Sequence, residues 1–340
     1  MSAPPPPSTL GERVSAPFAT LWGLIMRGLD APMRWVQGRI GARRMPYLFL
    51  APNALFFGLF VFLPLIINIA YSFTGGSALY LSDRPYVGAS QYGHLFDCGN
   101  YLDPGSCRED HFWRGVQNTG TFVALQVVFM VGFSLLTAVV LNMDIRGRGF
   151  FRAVYFFPVL LSPVVVALIW KWILQREGLL NAVLTGLGGQ KILFFVEPGW
   201  AMFWAVFVSI WAHMGFYTLI LLAGLQAIPT DIYEAAEMDG TKRSRVFARI
   251  TLPLLWPNLI VVIVLALIKG VQTFDEVFVL TGGGPGSATL LVVQYIYETA
   301  FSNQVQNFGL AGAASVILGL VLFTLTLVQL WVSRKKDASA

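Results

Sequence analysis

The 27 residues from Tyr47 to Phe73 carry no charged side chain. A hydrocarbon layer about 30 Å thick is crossed by about 20 apolar residues in a helix, so this run is long enough to span a bilayer. Five further stretches are similarly long and predominantly apolar: Thr119–Asn142, Ala153–Leu174, Ala201–Gln226, Leu259–Leu280 and Gly309–Val332. Hydrophobic residues make up 56% of the chain and charged ones only 12%, a balance that cannot clothe an ordinary water-facing surface. Backbone groups in lipid need internal partners, and barrel strands are shorter and alternate in polarity, so runs of this length must be helices. The expected fold is an all-α integral membrane protein with about six transmembrane helices.

Basic residues orient the chain. With a cytoplasmic N-terminus, the inner side collects sixteen of the 23 Lys and Arg residues: six in the N-terminal tail, Arg146, Arg148 and Arg152, then Lys242, Arg243, Arg245 and Arg249, and finally Arg334, Lys335 and Lys336. At or beyond the outer boundary lie Arg84, Arg108, Arg114, Lys171, Arg176 and Lys191, and Lys269 falls within a span. Positive charge accumulates on cytoplasmic loops, so both termini are expected inside a cytoplasmic (inner) membrane, and topology accounts for the net charge of +5 without nucleic acid. The two cysteines, Cys98 and Cys107, share the first outer loop; an oxidising exterior suits a disulfide there, and two free thiols are the alternative.

These assignments divide the chain into a cytoplasmic tail over residues 1–45, a transmembrane domain over 46–333 with an outer loop at 74–118 and a charged inner loop at 227–257, and a short tail over 334–340. In the first tail Phe18, Trp22, Ile25, Leu29, Met33 and Val36 recur at helical spacing, which predicts an amphipathic helix pair on the inner membrane face. The apolar run from Pro17 to Met26 is too short to span and lacks the cleavage site of a signal peptide.

The inner loop interrupts two of the most apolar stretches with "TDIYEAAEMDGTKRSRVFARITLPLLWPN". Asp231 and Glu234 have the spacing of a helix cap and its reciprocal acid, Gly240 suits a helix stop, and Thr241 can cap a second helix. In that second helix Pro253 and Pro257 limit how it enters the membrane. Ala235 and Ala236 would leave the backbone of this two-helix knob approachable by another protein, with Glu234, Glu237 and Asp239 at its rim. A plain solvated loop is the alternative reading of the same residues.

"EAAEMDG" followed by "RVFARITLPLLWP" resembles the EAA loop of binding-protein-dependent ABC importer permeases, and "LQAIPTDIYEAA", "RAVYFFPVLLSPVVVALIWKWI" and "FDEVFVLTGGGPGSAT" resemble the maltose-type carbohydrate branch of that family. The likeness covers roughly residues 118 to 331. Thr241 departs from the pattern, and so does the cysteine-bearing outer loop, to which the resemblance assigns no role. The resemblance implies a permease subunit that pairs with a second, related permease, a cytoplasmic ATPase dimer and an extracytoplasmic solute-binding protein. It also implies that Glu234, Ala235, Ala236, Asp239 and Gly240 form the coupling helix that docks on the ATPase. No G-x-x-x-x-G-K-S/T occurs, so ATP and Mg would be bound by the partner ATPase and no cofactor by this chain.

Ionisable and aromatic residues inside spans mark a substrate path or a paired structural site. The fifth span carries Lys269, Gln272 and Glu276 on one broad face, with Lys269 and Glu276 two turns apart and Glu276 near the outer boundary. The fourth carries "WAHMGFYTL", where His213, Phe216 and Tyr217 could offer a sugar an aromatic face and polar partners. Path residues are therefore expected at His213, Phe216, Tyr217, Lys269 and Gln272, next to the coupling loop as the resemblance implies. His94, His111 and His213 form no metal-ligand pattern, and no nucleophile or acid–base motif is present, so the chain does not read as an enzyme. The span charges also allow an ion-coupled secondary transporter, and the knob alone a membrane scaffold. The substrate could be a sugar, an oligosaccharide or a polyol.

Overall fold

The computed structural model describes residues 37–39, 41–302 and 306–337. The N-terminal amphipathic pair expected around Phe18 to Val36 lies outside the described residues. Twelve helices carry the argument: α1 Met45–Ser72, α2 Ser90–Phe96, α3 Asp110–Asn142, α4 Arg148–Phe156, α5 Pro163–Leu174, α6 Leu179–Gly186, α7 Pro198–Gln226, α8 Thr230–Met238, α9 Arg243–Val271, α10 Asp275–Thr281, α11 Val292–Tyr297 and α12 Phe308–Asp337. Residues up to Ile67 form one unit and those from Asn68 a second. In the first, α1 runs through a widened turn at Gly58–Phe62, and its Leu55, Phe56 and Phe60 side chains are exposed, as a lipid-facing helix requires.

In the second unit α3, α7 and α9 pack together. Phe122, Met130 and Leu141 of α3, Val208 and Leu221 of α7, and Leu255 and Val262 of α9 are buried in one cluster. Lipid is as apolar as these side chains, so the association rests on close packing and interhelical hydrogen bonds rather than on escape from water. Small residues supply the closeness: Ala138, Ala205, Ala212 and Ala266 are all buried. Gly215 allows a still closer approach than an alanine would, because a Cβ there would collide with the Tyr155 carbonyl where α4 climbs along α7.

Among the described residues, five helices are long and apolar enough to cross a membrane: α1, α3, α7, α9 and the Phe308–Trp331 part of α12. The expected third span is not one straight helix. The segments Arg148–Leu160 and Pro163–Gly186 meet at 100°, and count as a sixth crossing only if the broken pair is taken as one span. Ser162, the residue before Pro163, is extended, because a proline ring disfavours helical geometry in its predecessor.

The fifth span also differs from expectation. Its helix begins at Arg243, inside the charged loop, because a widened turn at Phe247–Thr251 lets the helix absorb Pro253 and Pro257. It then stops at Val271 instead of running on to Leu280. There the Thr273 hydroxyl donates to the Lys269 carbonyl at 3.0 Å and Phe274 leaves helical geometry, before α10 starts afresh at Asp275.

The 74–109 segment folds as a cap. Cys98 and Cys107 are joined by a disulfide, and Trp113 Nε1 donates to the Leu95 carbonyl at 2.7 Å. Arg84 is buried between the rings of Tyr71 and Phe308 and donates to Thr74 Oγ1 and the Ala78 carbonyl. Burial lowers its affinity for a proton, and cation–π contact with both rings offsets part of that cost.

Candidate functional site

Halfway along α3 and α7 the apolar packing gives way to a polar chain. Gln126 Nε2 donates to Ser209 Oγ at 3.2 Å, and Ser209 Oγ donates to Glu276 Oε1 at 3.2 Å. Lys269 Nζ stands 4.0 Å from that same carboxylate oxygen. Lys269 and Glu276 approach each other across the break at Gln272–Phe274, where a straight helix would hold them two turns apart, in keeping with the paired-site reading of this span. One expectation is corrected. Glu276 is not at the outer boundary: it is 1% exposed and level with Ser209, which lies about 17 Å into α7 at 1.5 Å per residue.

The cluster is only partly satisfied. Gln126 Oε1 and Glu276 Oε2 are buried acceptors without a donor, while the Lys269 side chain remains 33% exposed. An ion pair with one partner buried and the other facing an opening is a place where a polar solute can compete for hydrogen bonds. His213 sits one turn from Ser209, and its Nδ1 meets the Ser209 carbonyl at 2.9 Å. A carbonyl can only accept, so Nδ1 carries the hydrogen and Nε2 of the neutral ring is an acceptor.

The remaining expected path residues separate. Phe216 is 44% exposed and Gln272 is exposed, so both are available to a solute. Tyr217 is not: it is buried in the core cluster, because its position on α7 faces the bundle interior. Gln126 and Ser209 were missed in the sequence. Their signal was present as polar residues within otherwise apolar spans, but only the fold brings them to Glu276.

The knob is built around α8. Pro229 precedes it and no side chain caps it, so Asp231 lies inside the first turn, where a carboxylate favours the positive end of the helix, and is not the expected cap. At the other end Gly240 takes the left-handed conformation (φ 63°), its N–H donating to the Glu237 carbonyl and that of Thr241 to Ala236. This pair of bonds closes the helix in the Schellman manner. Thr241 does not cap the next helix, whose flanking residue is Lys242.

Glu234, Ala235, Asp239 and Gly240 are exposed, but Ala236 is buried and packs inward, contrary to the expectation of an open surface at both alanines. Met238, unremarked in the sequence, is 90% exposed at the tip. Tyr233 OH lies 3.2 Å from Thr251 Oγ1 and ties α8 to α9. A cavity of about 460 Å³ between them is lined by Tyr233, Glu237, Arg243, Phe247 and Thr251 among others.

Known proteins resemble most of this chain. The family described as binding-protein-dependent transport system inner membrane component matches residues 130–337. The sulfoquinovosyl glycerol transport system permease protein SmoG of Agrobacterium fabrum is 32% identical over 305 residues, 89% of this chain and 94% of that protein. The trehalose/maltose transport system permease protein MalF of Thermococcus litoralis is 32% identical over 90% of this chain and 97% of its own length. A chain in the crystal structure of a bacterial ABC transporter that imports alginate has the same fold, with a TM-score of 0.74 and 24% identity over 88% of this chain and 98% of its own. The chain belongs to the family of inner membrane components of binding-protein-dependent transport systems.

Proposed function

We propose that the chain is the transmembrane permease subunit of an ATP-driven importer for a carbohydrate delivered by a solute-binding protein. Relatives whose names specify sulfoquinovosyl glycerol, trehalose and maltose, and arabinooligosaccharides support a saccharide or a saccharide glycoside as the substrate class. A solved relative complexed with an alginate-bound periplasmic protein supports the delivery step. A second permease subunit would complete the path beside the exposed flank of Lys269, Gln272 and Phe216. A cytoplasmic ATPase dimer would bind ATP and Mg and meet α8 through Glu234, Ala235, Asp239, Gly240 and Met238, with both termini on the same side.

One observation carries the coupling. The knob is continuous with the polar cluster: α7 enters α8 after three residues, α8 is tied to α9 through Tyr233 and Thr251, and α7 and α9 carry Ser209, His213, Phe216 and Lys269. A push on α8 therefore moves the two helices that hold the candidate path, which is the mechanical requirement for alternating access driven from outside the chain. Near Lys269, a solute hydroxyl can take hydrogen bonds from the ammonium and give one to His213 Nε2, while Phe216 offers a ring face to sugar C–H groups.

The test is uptake of labelled saccharide into vesicles holding the complete complex. Asp239→Lys at the knob should abolish ATP-dependent uptake while saccharide binding to the solute-binding protein is unchanged. Uptake that continues at full rate after ATP is removed would overturn the assignment.

A further inference from the structure

We propose that Arg148 and Arg152 form a binding site for the phosphate of an anionic membrane lipid. The two arginines lie one turn apart on α4, at the end that meets the last residue of α7, Gln226. With the Gln226 amide oriented so that its oxygen faces them, that oxygen accepts from Arg152 Nη2 at 2.8 Å and from Arg148 Nη2 at 2.9 Å. Two guanidinium groups thus converge on one neutral atom. Both Nε atoms are buried with no hydrogen-bond partner, and among the described residues no carboxylate pairs with either side chain.

Like charges held this close repel, and an amide dipole does not neutralise them. The C-terminal carbonyls of α7 contribute a partial negative charge of about half a unit, which is less than one of the two positive charges. A phosphate supplies what is missing, because its oxygens match the forked donors of two guanidiniums at once.

The rest of α4 points to a lipid as the source of that phosphate. From Gln226 at its charged end the helix climbs beside α7 to Gly215, where a Cβ would strike Tyr155, so it runs inward from the end of a membrane-crossing helix to its middle. Beyond Arg152 along that climb, Val154 and, just past the end of α4, Phe157 are exposed by 49% and 58%. Charge at the boundary followed by exposed apolar side chains at increasing depth is the polarity order of a phospholipid, headgroup first and acyl chain second. A soluble phosphate would use the charged end alone.

Native mass spectrometry on the complete complex, purified in mild detergent, tests this with phosphatidylglycerol, phosphatidylcholine and inorganic phosphate as probes. The unmodified complex should retain phosphatidylglycerol over phosphatidylcholine by about tenfold, and inorganic phosphate should not displace it. Arg148→Gln with Arg152→Gln should bring the two lipids to parity. Gln226→Glu provides a second route that does not depend on the arginine variant folding: a carboxylate placed between the guanidiniums should remove the preference while raising the melting temperature. An unchanged preference in Gln226→Glu overturns the site, and displacement by inorganic phosphate overturns the lipid.

Discussion

Removing the ammonium of Lys269 leaves the Glu276 carboxylate buried beside Ser209 without a cation, which is a more costly state than losing both charges together. Lys269→Met is therefore expected to destabilise the protein more than Lys269→Met combined with Glu276→Gln. Because Lys269 is a third exposed, the coupling in a thermal-denaturation double-mutant cycle should be about 1–3 kcal/mol, below the range for fully buried pairs. Additive effects would mean that the 4.0 Å approach is not an interaction. The adjacent rings on α7 separate binding from packing. Phe216→Ala should raise the KM for uptake by about tenfold, while Tyr217→Phe, confined to the core, should leave it within about twofold. At Gly240 a side chain would be forced into left-handed geometry at a cost of about 1–2 kcal/mol, so Gly240→Val should loosen the end of α8 and lower uptake without affecting the polar cluster.

Among the elements, the cap over residues 74–109 depends most on a single covalent link. The Cys98–Cys107 disulfide closes a short loop whose remaining ties are a few hydrogen bonds, such as Ser106 Oγ with the Asn100 and Asp103 carbonyls. Replacing both cysteines with serine should cost about 2–3 kcal/mol of stability, read as a lower melting temperature. The same pair reports orientation. After mild reduction of intact cells, a membrane-impermeant maleimide should label Cys98 and Cys107, because the proposed topology puts the cap outside; labelling only after lysis would invert it. The broken helices α4–α5 and α9–α10 act differently. Each break places a turn of backbone or a charge beside α7 where a continuous helix would carry it past, and the second break creates the Lys269–Glu276 contact.

At the scale of the whole molecule, the membrane fold was legible because lipid leaves a charge-free run such as Tyr47–Phe73 only one regular structure. The family was legible because the charged loop carries a long motif with fixed spacing from Glu234 to Pro257. What stayed hidden depended on contacts between distant segments. The stop at Val271 and the non-helical Phe274 interrupt an apolar run that has no proline or glycine at the break, so the span was expected to continue to Leu280. Gln126, Ser209 and Glu276 come from three helices, and nothing in any one of them tells which face meets the others. Ala236 stands beside Ala235 in the motif, yet the motif does not distinguish an exposed residue from a buried one.

Coupling to an external ATPase is the central claim, and the composition of the native assembly tests it most directly. Purified in mild detergent from its own membrane and analysed by mass spectrometry, this chain should be recovered in fixed ratio with a second permease and an ATPase, and Asp239→Lys should release the ATPase while retaining the second permease. Recovery of the chain alone, or as a homodimer without an ATPase, would contradict the claim and leave Lys269, Glu276 and His213 to be explained as an ion pathway.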